Sequence, residues 1–231
     1  MQTIFITGGT GYIGSRLIKF LQQKGDYHIK ALIRQGSAHK LPAGCESIVG
    51  NALNAETFSN YIRPATIFVH LIGVAHPSPS KKQQFRQVDL VSVKQAALAA
   101  IEQGIEHFIY LSVAQHPTEI MKDYQAVRAS GEALLVKAGI PCSFIRPWYV
   151  LGPGHWWPLL LKPFYMIARL IPAFREKAQN LDTVTIGQMV AVLSYAIEHP
   201  PVLPVKVYEV ADIQLMNGSD PHKKTLERIR N

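Results

Sequence analysis

The chain reads Thr7-Gly8-Gly9-Thr10-Gly11-Tyr12-Ile13-Gly14, directly after an apolar run over residues 3–7 and directly before a helical pattern over 12–24. That juxtaposition leaves few folds open. A strand that turns at once into a helix needs residues without a Cβ at the bend. The spacing Gly9-x-Gly11-x-x-Gly14 supplies them where the backbone turns, where a phosphate must come close, and where helix and sheet pack. Unpaired amides at the helix start then face an anion. The turn predicts a dinucleotide pyrophosphate held by Gly8, Thr10, Gly11, Tyr12, Ile13 and Gly14. A tight β-α turn without a ligand is the alternative reading of the same glycines.

The rest of the chain continues the alternation. Ile13, Leu17, Phe20 and Leu21 fall at helical spacing, and Gly25 fits a left-handed cap. Strands are expected over 28–34, 46–49 and 66–72, a short helix over 55–61, and a long helix over 84–103. The long helix carries Leu90, Val93, Ala97 and Ile101 on one stripe and stops at Gly104. A strand over 107–112, a helix over 123–137 closed by Gly139 and a strand over 142–146 ending at Pro147 follow. Repeated β-α units with right-handed crossovers give an α/β fold, a doubly wound parallel Rossmann sheet with helices on both faces. Its ligands bind where loops leave the carboxyl ends of the strands. After Pro147 the sequence turns Pro- and aromatic-rich, with a helix expected near 186–198 and a strand over 205–210. The expected organisation is a nucleotide-binding core over 1–154 and a small C-terminal lobe over 155–231, packed on the core as a lid to the crevice.

With 48% apolar and 17% charged residues the chain reads as globular. Its first residues enter a β-like run at once, without the pattern of a secretory leader. Cys45 and Cys142 stand apart from each other and from any metal-ligand spacing, so a cytoplasmic location, reduced thiols and no metal are expected. The net charge of +8 is spread along the chain, with short basic runs at Lys81-Lys82 and His222-Lys223-Lys224 and no recognised nucleic-acid motif. The partner expected is a small molecule and not a nucleic acid. The apolar stretch 156–171 holds Pro158, Lys162, Pro163 and Arg169 and falls short of the roughly 20 clean residues of a transmembrane helix. A pocket-covering lid and a peripheral membrane anchor both stay open for it.

Arg34 stands at the end of the second expected strand, 20 residues past Gly14. An acidic residue there bonds the adenine ribose of NAD, whereas a guanidinium grips a 2′-phosphate by charge-assisted bonds. Arg34, with His39 and Lys40 nearby, therefore predicts NADP(H); a solvated arginine at a strand end is the alternative.

Together with His70-Leu71-Ile72-Gly73, Tyr110-Leu111-Ser112, Tyr124, Arg146-Pro147 and Gly152-Pro153-Gly154, the glycine turn resembles the short-chain dehydrogenase/reductase superfamily. The resemblance is to its extended and atypical branch of epimerase-like and NmrA-like proteins and covers roughly residues 3–155. It implies that Gly50-Asn51, with Ala52, meets the adenine, and that Leu71, Ile72, Gly73 and Pro147 border the cofactor. Catalytic members use Tyr-x-x-x-Lys as acid/base pair with a Ser or Thr. Here Tyr124 is followed four residues on by Arg128, on the same helix face, where it is expected to favour the tyrosinate and bond ribose hydroxyls. The substrate-polarising hydroxyl falls at Ala114, which has none; Ser112, on the same strand face, matches a supporting position.

His76 and His116 are expected in loops at the crevice as spare proton donors or plain surface, and His70 as a core residue. Trp148, Tyr149, Trp156 and Trp157 line an aromatic pocket mouth or simply pack the lobe. Two functions follow. One is an NADP(H)-dependent oxidoreductase or isomerase acting on a small, rather apolar carbonyl or alcohol through Tyr124, Arg128 and Ser112. The other is a non-catalytic NADP(H)-binding redox sensor or assembly factor, which Arg128 and Ala114 favour.

Overall fold

The computed structural model describes residues 1–116, 118, 121–154 and 182–216. Strands β1 (Gln2–Thr7), β2 (Tyr27–Ile33), β3 (Glu46–Val49), β4 (Ile67–His70), β5 (His107–Leu111) and β6 (Cys142–Ile145) lie in one sheet. With β9 (Val205–Tyr208) they form a seven-stranded sheet in the order β3-β2-β1-β4-β5-β6-β9. Every pairing in it is parallel. The order reverses between β1 and β4, and a ligand crevice forms there at the carboxyl ends. The expected Rossmann architecture is therefore the one observed. β7 (Tyr149–Leu151) and β8 (Thr183–Thr185) make a separate two-stranded pair.

Alternation along the strands sends side chains to two cores. Ile4 and Ile6 face Leu17, Ile18 and Leu21 of α1 (Tyr12–Lys24) and Met189, Leu193 and Ile197 of a helix over Ile186–Glu198. Phe5 points the other way, where β1, β4 and β5 are in register and place Phe5, Phe68 and Phe108 side by side. Their ring centroids are 5.2 and 4.9 Å apart. Helix α2, residues 82–103, covers this face and is built from Lys82–Gln84, a π-helical segment Phe85–Leu90, and Val91–Gln103. Helix α3 (Lys122–Ala138) lies beside it, α4 is Ile186–Glu198, and α5 (Val210–Leu215) follows β9.

Several helix ends fall where the sequence places them. Gly25, Gly104 and Gly139 take φ of 80, 73 and 72° as left-handed caps of α1, α2 and α3. The expected helix over 55–61 resolves into two 3-10 turns, Ala55–Thr57 and Ser59–Tyr61. Of the small lobe expected over 155–231, packed on the core, residues 182–216 are described. β9 is the seventh strand of the sheet and α4 packs in the α1 core. Trp156, Trp157, the stretch 156–171 and the basic run at 222–224 lie outside the described residues. Among the described residues no helix is long and apolar enough to cross a membrane.

Candidate active site

The glycine turn occupies the switch point. Gly8 has φ +80°, and a Cβ there would stand 2.9 Å from the Leu71 carbonyl, so the turn slides directly past the end of β4. At Gly14 a Cβ would strike the Gly8 carbonyl oxygen, which fixes the close start of α1. Gly11 differs: a Cβ there meets only Gly8 O, at 3.1 Å, and otherwise points into space. Gly11 is also the N-cap of α1 and offers no side-chain cap, so the first amides of a 13-residue helix have no side-chain partner from that position. These features fit a pyrophosphate. Gly8, Gly11, Tyr12, Ile13 and Gly14 line a cavity of about 650 Å³ that continues along Leu71, Gly73, Ser112, Tyr124, Arg128 and Pro147. Thr10, Ile72, Arg34, Asn51 and Ala52 do not line it.

Arg34 is exposed immediately beyond β2, and His39 and Lys40 lie exposed on the following turn. Asn51 follows β3 with its Oδ1 accepting the Leu53 amide at 3.0 Å and its own amide donating to Thr57 Oγ1 at 2.9 Å. This Asx-type turn holds the 51–53 loop in place.

At the other end of the cavity, α3 presents Tyr124 and, one turn on, Arg128. The Tyr124 ring lies between Phe85, at 4.9 Å between centroids, and the Arg128 guanidinium, 5.2 Å from its centroid. Arg128 itself is 2% exposed. Its Nη2 pairs with Asp89 Oδ1 at 2.7 Å, and its Nη1 donates to the carbonyls of Leu111 at 3.0 Å and Ile72 at 3.2 Å. The guanidinium thus clasps the ends of β4 and β5, and a Cβ on Gly73 would collide with Nη2. Of its donors, the cavity-lining arginine keeps Nε–H without a partner among the described residues. Asp89, fully buried in the π-helical segment, also accepts the Val74 amide at 3.1 Å. Sequence reasoning passed over Asp89; the signal was an acidic residue inside an otherwise apolar helical stripe.

Ser112 is 3% exposed, lines the cavity, and its Oγ has no hydrogen-bond partner among the described residues. Ala114 does not share its surroundings as expected. The strand ends at Leu111, and Ala114 packs with Ile109 and Ile145 in the α1-side core, so position 114 is turned away from the cavity. Gln125, another residue the sequence did not flag, donates to the carbonyls of Ala114 at 2.6 Å and His116 at 2.7 Å and so ties this loop to α3. His76 lines the cavity and His116 does not. His70 is a core residue: burial, with Arg128 nearby, lowers its pKa to about 3 and keeps the ring neutral. It bridges Thr7 Oγ1 at 2.8 Å and Ser92 Oγ at 3.2 Å. Because the Ser92 hydroxyl donates to Asp89 O, the imidazole carries its proton on Nε2 and accepts from Thr7 at Nδ1. Val74, Val113, Met121, Trp148, Tyr149 and Val150 complete a largely apolar wall.

Comparison with known proteins agrees with this geometry. The NAD(P)H-binding family profile matches residues 8–150. UDP-glucose 4-epimerase of Vibrio cholerae is 28% identical over 86% of this chain and 67% of its own length. Ceramide reductase of Caulobacter vibrioides is 25% identical over 65% of this chain, which spans only 47% of that protein. Among solved structures, UDP-glucuronic acid 4-epimerase from Bacillus cereus in complex with NAD superposes with a TM-score of 0.66 at 18% identity, covering 90% of this chain and 77% of that one. The chain belongs to the NAD(P)H-binding family, and the proteins it is similar to are epimerases and reductases.

Proposed function

We propose that this protein is an NADP(H)-dependent oxidoreductase of a small, rather apolar carbonyl or alcohol. The observation that carries the reading is one cavity joining the α1 glycine turn to Ser112 and Tyr124 through an apolar wall. The relative named a ceramide reductase supports reduction of an apolar substrate, and the epimerases leave an isomerase variant in view.

Gly8, Gly11 and the first amides of α1 hold the pyrophosphate, Asn51 and Ala52 border the adenine, and Arg34 grips the 2′-phosphate. When bound, the nicotinamide cofactor would supply or accept the hydride. Tyr124 Oη gives or takes the proton at the substrate oxygen, and Ser112 Oγ donates a hydrogen bond to that oxygen. Arg128, anchored by Asp89 and two strand-end carbonyls, holds a fixed positive charge against the Tyr124 ring. The apolar wall keeps water from the reacting atoms. A second reading, a non-catalytic NADP(H)-binding sensor, draws on the same Arg128: a guanidinium committed to Asp89 is not a free substitute for a lysine.

Cofactor fluorescence titration tests the nucleotide assignment. NADPH binds more tightly than NADH, and Arg34→Ala weakens NADPH roughly ten- to a hundredfold, the value of a charge-assisted contact of about 1.5–3 kcal/mol, without changing NADH. Equal affinities unchanged by the substitution overturn the NADP preference. A carbonyl screen followed by NADPH oxidation then separates enzyme from sensor.

A further inference from the structure

The charge that faces Tyr124 is not a lone cation. The Arg128 guanidinium lies 5.2 Å from the Tyr124 ring centroid, and its Nη2 is 2.7 Å from Asp89 Oδ1. Both members of the pair are buried, so solvent screens them little. The other acceptors on the guanidinium are neutral: the Leu111 and Ile72 carbonyls, and the Tyr110 hydroxyl at 3.4 Å. Asp89 is fixed by a second contact, the Val74 amide donating to its Oδ2 at 3.1 Å. Burial raises the Asp89 pKa, and the guanidinium and that amide oppose the rise. At 2.7 Å from a permanent cation the carboxyl is held as the anion.

A buried ion pair adds little stability over an apolar pair of similar volume. Beside a proton donor it has an electrostatic use instead. We propose that Asp89 is a positioning residue for the proton transfer: it fixes the Arg128 guanidinium and offsets its charge, so that Tyr124 works against an ion pair rather than a lone cation. The proposal rests on the reading of Tyr124 as the proton donor. A lone cation at this range favours the tyrosinate. A tyrosine that has already lost its proton cannot give one to the oxygen of a carbonyl under reduction, so the carboxylate keeps the donor loaded to higher pH. The other titratable groups around Tyr124 are Tyr110 from β5, Asp123 of α3 with Lys82 of α2 at 2.9 Å, and His76, Tyr149 and Tyr12 on the cavity. Substitutions at 89 and 128 leave all of these in place.

The test uses the full chain with 13Cζ-labelled tyrosine, titrated through the alkaline range with and without NADP+. Tyr124→Phe assigns the Tyr124 resonance. Asp89→Asn removes the carboxylate charge at nearly constant shape and is expected to move the Tyr124 midpoint down by about one to three pH units. Asp89→Leu with Arg128→Met removes both charges and is expected to leave the midpoint within about half a unit of the wild type. The double variant keeps the test decisive if Asp89→Asn fails to fold. An unmoved midpoint in folded Asp89→Asn overturns the proposal. So does a double-variant midpoint raised by about a unit or more, as the loss of an uncompensated cation requires. Reduction of acetophenone, cyclohexanone or 2-heptanone by NADPH supplies the second readout. In Asp89→Asn the alkaline limb of kcat is expected to move down with the Tyr124 midpoint; a lower rate with the limb in place marks a merely structural role and overturns the proposal too. The failures are distinguishable. If only the Asp89 arms fail, the reading of Tyr124 stands; if Tyr124→Phe reduces the ketone normally, or none of the three is reduced, the functional reading falls and the proposal with it.

Discussion

Tyr124 reaches the cavity with its ring fixed from two sides, by Phe85 and by the Arg128 guanidinium, so its hydroxyl is presented rather than free to search. On a carbonyl substrate, Tyr124→Phe is expected to lower kcat about a hundredfold or more, the usual worth of a placed proton donor, with NADPH affinity held within a few-fold. Single-turnover and titration measurements on one preparation check both halves. Gly11→Val is expected to abolish cofactor binding and leave the circular dichroism of the wild type, because its side chain meets Gly8 O and otherwise fills the cavity. Retained binding would make the glycine turn purely structural. At this scale part of the cavity lining was legible: Gly8, Gly11, Tyr12, Ile13, Gly14, Leu71, Gly73, Ser112, Tyr124, Arg128 and Pro147 were singled out in the sequence and line it, whereas Thr10, Arg34, Asn51, Ala52 and Ile72 do not. Asp89 was not, since its meaning depends on Arg128, a residue distant in sequence that meets it only once α2 and α3 pack. Ala114 was misplaced for a similar reason. Extending the strand alternation past Leu111 puts it beside Ser112, whereas the chain leaves the strand there and turns the methyl into the core.

The π-helical segment Phe85–Leu90 gives α2 its local role. It carries Phe85 to Tyr124 and buries Asp89 against Arg128, so one irregular turn sets both neighbours of the α3 residues. Removing one member of a buried ion pair leaves the other charge uncompensated. Asp89→Ala is therefore expected to cost about 3–5 kcal/mol, while Asp89→Leu with Arg128→Met recovers much of that loss. Thermal denaturation distinguishes the cases: the single variant melts lower by roughly 6–20 °C, and the double variant returns toward the wild type. A double variant no better than the single one would show that the two residues do not act as a pair. Elements of three turns or more were legible, together with their glycine stops. The three-residue strands β7 and β8 are too short to show a period, the π-helical segment follows the same apolar stripe as an ordinary helix, and α5 begins where the expected strand over 205–210 was still running.

Across the whole molecule, two neutral imidazoles lie inside the sheet. Burial lowers the pKa of His107 to about 4, and His107 bonds Ser143 Oγ at 2.9 Å, while His70 stands at about 3. Unfolding frees both rings to titrate at an ordinary value near 6.5. Between that value and their folded ones the unfolded chain binds more protons than the native one. Their contribution is therefore fully present above pH 6.5 and falls as the pH drops toward 4, by about 1.4 kcal/mol per unit for each ring. Urea titrations at pH 7 and pH 4.5 are expected to show a lower midpoint in acid, and His107→Asn to flatten that slope; a slope unchanged by the substitution would remove His107 from the account. The same interior also joins distant parts of the chain. α4 rests on α1, with Glu198 paired to Lys24, and β9 closes the edge of β6. During synthesis at about 5–20 residues per second, the glycine turn emerges long before the helix and strand that brace it. A nascent chain therefore displays its glycine turn while the α4 helix that packs with α1 is still to be made.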